Sequence, residues 1–134
     1  MNFDLTDEQT LIVDSAARYV REQQSIELKR ESAKGDAGYS AKHWQNFAEM
    51  GWLALTLPED VDGLNADTID LCLLMEQIGH GCFHEPLLDT AVIATSILTD
   101  VTDTNAKALA NSTLESIGCG ESIIALAPVS YTHL

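Results

Sequence analysis

Three short groups carry residue types able to do chemistry. His80, Cys82, His84 and Glu85 place imidazole, thiol and carboxylate close together, the donors that bind zinc. A closed zinc site needs about four converging ligands, and no second cluster elsewhere in the chain would close one. Glu59, Asp60 and Asp62 offer oxygen ligands for calcium, but they lack the spaced ligand pattern of an EF-hand loop and read as a solvated turn. Cys119, between Gly118 and Gly120, would be an exposed nucleophile, yet no histidine lies beside it in sequence to act as its base. No metal ligand and no catalytic residue is assigned from these groups.

The elements that would carry such residues are helical. Thr6 and Gln9 form a capping-box pattern, with Asp7 and Glu8 at the positive end of the helix dipole. Behind them Leu11/Ile12, Ser15/Ala16 and Tyr19/Val20 recur with helical period. The pattern weakens at residues 23–25 and resumes from Ile26 to Ala33. Ser40 is the expected N-cap of a helix through Met50, with Trp44, Phe47 and Ala48 inward and Gly51 as its stop. The aromatic group Trp44, Phe47 and Trp52 reads as core, not as a base-stacking platform, because basic residues are scarce after position 42.

Trp52 to Leu57 is a short apolar run before Pro58, expected to be extended and buried. A helix from about Thr68 to Ile78, ending at Gly79, is apolar almost all round, the mark of a central helix. Pro86 suits the first position of a fourth helix reaching about Leu98. Asp103 or Thr104 caps a fifth, which ends near Ile117. The run from Glu121 to Ala127, between Gly120 and Pro128, has strand composition. The expected fold is therefore all-α: an orthogonal bundle of about five helices over residues 1–119, then one β-strand over 120–128 whose sheet is missing.

Charge is unevenly placed. The formal net charge is −14, and six of the seven basic residues lie in the first 42 positions; the remainder of the chain carries thirteen acids and only Lys107. Nucleic acid and anionic membrane surfaces both need a basic footprint, so neither is an expected partner. No apolar run approaches the ~20 residues of a membrane span. Three cysteines make no disulfide framework, and without a leader sequence the expected location is cytoplasmic.

Several motifs, in order, resemble one family. Phe3-Asp-Leu-Thr-Asp-Glu-Gln9 is similar to an F-x-L-T-E-E-Q start, and Trp44 to Gly51 to a W-x-x-(F/L)-A-E-x-G helix end. Leu57-Pro-Glu-Asp60 is similar to L-P-E-E, and Met75-Glu-Gln-Ile-Gly-His80 to M-E-E-L-G-R. Gly120-Glu and Ala125-Leu-Ala127 match a G-E-x-x-x-A-L-A entry to a β-domain, and Glu85-Pro-Leu-Leu88 an L-E-P-Y-L segment. Together they resemble the amino-terminal helical domain of the acyl-CoA dehydrogenases, nearest the small-subunit type acting on pimeloyl-CoA. Where that family has a G-G-L-G turn, this chain has Asp62-Gly-Leu-Asn65; Asp and Asn tolerate such turns.

The resemblance implies a parent enzyme that holds FAD and desaturates an acyl-CoA thioester between its α and β carbons. A glutamate base takes the α-proton and the flavin accepts the β-hydride. Electrons then pass to an electron-transfer flavoprotein, and the parent is a homo- or hetero-oligomer. Base and flavin site lie in the parent's other domains, so this chain alone is expected to be inactive. Its implied share is the far wall of the acyl pocket, with Pro86, Asp89, Thr90 and Ile93 as the substrate-facing residues. Residues 129–134 break the family pattern and are expected to be a non-native tail on a truncated chain. Two alternatives keep the fold: a non-catalytic helical module that binds a partner subunit, and a flavin monooxygenase or oxidase.

Overall fold

A computed structural model of the chain describes residues 4–23 and 25–127. The suggested tail, residues 129–134, lies outside them. Six α-helices follow in order: α1 (Asp7–Glu22), α2 (Ile26–Lys34), α3 (Ala41–Glu49), α4 (Thr68–His80), α5 (Thr95–Thr99) and α6 (Thr104–Gly118). A 3-10 turn at Glu59–Val61 separates α3 from α4, and a π-helical stretch at Leu88–Ala94 runs directly into α5.

Caps set the helix starts. Thr6 accepts the Gln9 amide at 3.1 Å while the Gln9 side chain accepts the Thr6 amide at 3.1 Å, a complete capping box. Asp67 and Asp70 form a second one at α4. Ser40 caps α3, and Asp103 caps α6 by accepting from Asn105 and Ala106, both at 2.9 Å. The stop of α3 is a Schellman motif: Gly51, at φ 74°, donates to Ala48 and Trp52 donates to Phe47, both at 2.9 Å. Gly120, at φ 77°, closes α6 the same way, one residue past its C-cap Cys119, so the helix ends next to the expected Ile117.

Helix α1 buries Ala16, Tyr19 and Val20 and lies against α4, which buries Leu74 and Ile78. Ala16, Tyr19, Leu74 and Ile78 form the main core with Trp44, Phe47, Trp52, Leu53 and Leu55; Leu57, Val61 and Leu114 form a second, smaller one. The aromatic group is core, as its period requires.

Three expectations change. Trp52 to Leu57 is not extended: it is a chain of turns, with Ala54 donating to Gly51 and Leu57 to Ala54, both at 3.2 Å. The chain then returns so that Leu64, Asn65 and Ala66 donate to Ala54, Leu57 and Leu55. Asp62 and Asn65, where the family pattern has glycine, both adopt positive φ, 58° and 51°. Gly63 is obligatory between them, since a Cβ there would stand 2.0 Å from the Leu57 carbonyl oxygen. Helix α4 runs on to His80 and is not central: Ile69 is 58% exposed, and Cys72 lies on the same open side. Finally, residues 121–127 form no β-ladder, and no strand occurs among the described residues. An isolated segment has no backbone to pair with, which is the condition the composition already implied.

Candidate functional site

The segment after the α4 turn carries the one buried carboxylate among the described residues, that of Glu85. Glu85 is 92% buried by its 8% exposure, and its carboxylate accepts the Ser40 amide at 3.3 Å through Oε1. Its Oε2 and the His84 Nε2 are both closed off from solvent without a protein partner. Close by, Asn46 donates to the Tyr19 hydroxyl at 3.0 Å, and that hydroxyl lies 2.6 Å from His43 Nδ1.

Electrostatics follow burial. Desolvation pushes the Tyr19 phenol above its usual range, the Asn46 hydrogen bond opposes the rise and the Glu85 charge adds to it. Desolvation pushes His43 below its usual range; Glu85 pulls it back up, while Lys29, Lys42 and His84 push it further down. Phe83 packs edge-on against His43, with ring centres 5.1 Å apart, and Lys29 sits over the Phe83 ring at 4.3 Å. Sequence reasoning missed this network. Its members come from α1, α3 and the 80–87 turn, so no local motif marks them.

The suspected metal donors do not converge. His80 is exposed beside Glu76, at 3.9 Å, Cys82 is exposed at φ 50°, and only Glu85 is buried. No group of three His, Cys, Asp or Glu among the described residues can hold an ion. Cys119 caps the end of α6, exposed and far in sequence from any imidazole.

The expected acyl-wall residues lie on the π-helical stretch or at its entrance. Pro86 and Ile93 are half-buried, Asp89 is exposed, and Thr90 is completely buried. Hydrogen bonds from i to i+5 widen the turn here. The four residues therefore do not stack as they would on a regular α-helix. Thr90 donates to the Ile124 carbonyl at 2.9 Å and accepts the Ile124 amide at 3.2 Å, so one side chain clamps residues 121–127 to the helix. Beside the clamp lies a small apolar hollow of about 140 Å³ lined by Ala94, Ile97, Leu98, Ile124, Ala125 and Leu126. Leu88, Ile97, Ile123 and Leu126 are all substantially exposed. The π winding has only a faint signal in the sequence, the threonines at 90 and 95 inside an apolar helix.

No helix among the described residues is long and apolar enough to cross a membrane. Among proteins of known kind, the acyl-CoA dehydrogenase IpdE2 of Mycolicibacterium smegmatis is 26% identical over 95 residues, covering 70% of this chain and 30% of its own. Benzylmalonyl-CoA dehydrogenase of Aromatoleum aromaticum is 30% identical over 81 residues, which is 60% of this chain and 21% of that one. The chain thus spans under a third of the length of these relatives. Among solved structures, the ChsE4-ChsE5 complex of Mycobacterium tuberculosis superposes with a TM-score of 0.83 at 19% identity, covering 98% of this chain and 36% of that one. A variant of the Tcur3481-Tcur3483 steroid ACAD gives 0.72 at 23% identity, covering 85% and 30%. The fold is shared with both. The family model described as the acyl-CoA dehydrogenase N-terminal domain matches residues 6–114, and the chain belongs to that family.

Proposed function

We propose that this domain serves a parent enzyme that desaturates an acyl-CoA thioester with FAD, and that it forms the far wall of the acyl pocket. The observation that carries the reading is the unequal burial of the Leu88–Thr99 helix. Its inner side buries Thr90, Ala91, Ala94 and Thr95, while Leu88, Asp89, Ser96 and Ile97 stay open. A helix face with Leu88 and Ile97 outward calls for a further apolar layer. In this reading the acyl tail and the parent's other domains supply that layer. Pro86, Asp89 and Ile93 border the tail, and Thr90 fixes the wall from behind.

The flavin belongs elsewhere in the parent. The hollow of about 430 Å³ between α3 and α6 is rimmed by Glu49, Asp62 and Glu115, which suit no anionic dinucleotide. When bound, FAD would accept the β-hydride; the residues described here would shape and dry one end of the substrate site. Electron-transfer flavoprotein as acceptor and a homo- or hetero-oligomeric assembly complete the proposal. Two relatives solved as paired chains favour the heteromer.

The test uses the full-length parent with Ile93→Trp. The expected result is a shift of kcat/KM toward shorter acyl-CoAs with flavin content unchanged. An unaltered chain-length profile, with the variant folded and flavinated, refutes the wall assignment. If the parent has no acyl-CoA activity at all, the interaction-module reading replaces it.

A further inference from the structure

We infer that the groove between α2 and the end of α4 is a binding site for a small monocarboxylate with an apolar body, separate from the acyl wall and independent of the proposed activity. The groove has a volume of about 550 Å³ and is walled by Ile26, Lys29, Arg30, Ala33, the 80–82 turn and His84. No carboxylate lines it. In a chain of net charge −14 with only seven basic residues, two of those seven sit side by side here.

Their charge is not neutralised by the protein. Neither Lys29 nor Arg30 has a carboxylate within 4.0 Å among the described residues. Lys29 spends its ammonium on the Gly81 carbonyl and on the Phe83 ring, which fixes it at the floor of the groove. Arg30 is exposed and keeps its guanidinium fork for a ligand. This arrangement also explains how α2 is held: the helix buries none of its residues, so the Lys29 contacts take the place of an apolar face.

Ligand class follows from charge and walls. A guanidinium fork suits a carboxylate in bidentate geometry. Ile26 and Ala33 on one side and the Gly81-Cys82 turn on the other offer apolar surface to a hydrocarbon body. A single guanidinium open to a ligand in this groove, within a strongly negative molecule, favours a monoanion over a phosphate ester, which the surrounding field repels more strongly.

Titration of the 134-residue chain with octanoate, followed by backbone amide NMR, tests the site, with octan-1-ol as the neutral analogue. Saturable shifts are expected at Ile26, Gly81 and Cys82 with octanoate alone. Arg30→Gln, which removes no contact within the protein, should weaken binding about tenfold, the scale of one charge-assisted hydrogen bond. Ala33→Phe, on the exposed side of α2, should abolish it by filling the groove. Any of four results overturns the inference: shifts that do not saturate, equal shifts with octanol, unchanged binding in the folded Arg30→Gln variant, or shifts centred on Ile97 and Leu126. Inorganic phosphate binding as tightly as octanoate overturns the ligand class.

Discussion

Replacing Thr90 with valine removes one oxygen atom and should release one end of the chain. The hydroxyl makes two hydrogen bonds to Ile124, at 2.9 and 3.2 Å, and is itself completely buried. At about 0.5–1.5 kcal/mol net for each neutral hydrogen bond, the pair contributes roughly 1–3 kcal/mol. Earlier anchors of the segment, the Trp44 bond to the Gly120 carbonyl and the Ser116–Ser122 hydroxyl pair, lie before Ile124 and survive. Opening of residues 123–127 should therefore become roughly 5- to 150-fold more frequent while the bundle stays folded. Amide hydrogen exchange at Ile124 reads that factor directly, with α1 and α4 amides as the internal reference. Thr90→Ser is the control. It keeps the oxygen and deletes a buried methyl, so it should lower the free energy of urea unfolding by about 1 kcal/mol while Ile124 stays protected. If Ile124 exchanges equally fast in the wild type and in the valine variant, or if serine releases it as strongly as valine, the clamp is not what holds the segment.

Other substitutions probe the core and the network. Gly63→Ala should prevent stable folding, because its Cβ would fall 2.0 Å from the Leu57 oxygen; a native circular-dichroism spectrum with an unchanged melting temperature would contradict this. Phe47→Ala, at a site with no exposure, should cost about 3–5 kcal/mol in urea unfolding, and a loss under about 1.5 kcal/mol would mean the core collapses around the gap. His43 is held below its ordinary value of 6.5, so between that lowered value and 6.5 the unfolded chain binds more protons than the folded one. Its contribution is therefore whole above pH 6.5 and lost as pH falls through that window. His43→Gln should lose less stability than the wild type between pH 7.5 and 5.5, and parallel losses would remove His43 from the account.

What could be read from the sequence was whatever neighbouring residues decide among themselves. Thr6 with Gln9, Ser40, Asp103 and the Gly51 stop each satisfy backbone groups a few residues away, so their types alone announce the helix ends. The Trp52–Leu57 run failed because its conformation is settled at a distance. Amides of residues 64–66 return to the carbonyls of residues 54–57, and an apolar run before proline fits turns as well as an extended strand. The π stretch was illegible for a similar reason, since widening a helix by one residue per hydrogen bond depends on what it packs against, here α6. For the candidate wall, the sequence placed Pro86, Asp89, Thr90 and Ile93 on one element, but not the commitment of Thr90 to Ile124.

The misjudged α4 and the open Leu88–Thr99 helix have one cause. Apolar sequence predicts burial only if the chain supplies the layer that does the burying, and scattered exposed leucines are ordinary on any protein surface. These are not scattered. Leu88, Ile97, Ile123 and Leu126 are exposed on the two segments that the Thr90 clamp joins, and Ile97 and Leu126 line one hollow beside it. Such a surface calls for a cover. The proposal that the parent's own further domains supply it leans on the family model matching residues 6–114 and on relatives more than twice as long as this chain.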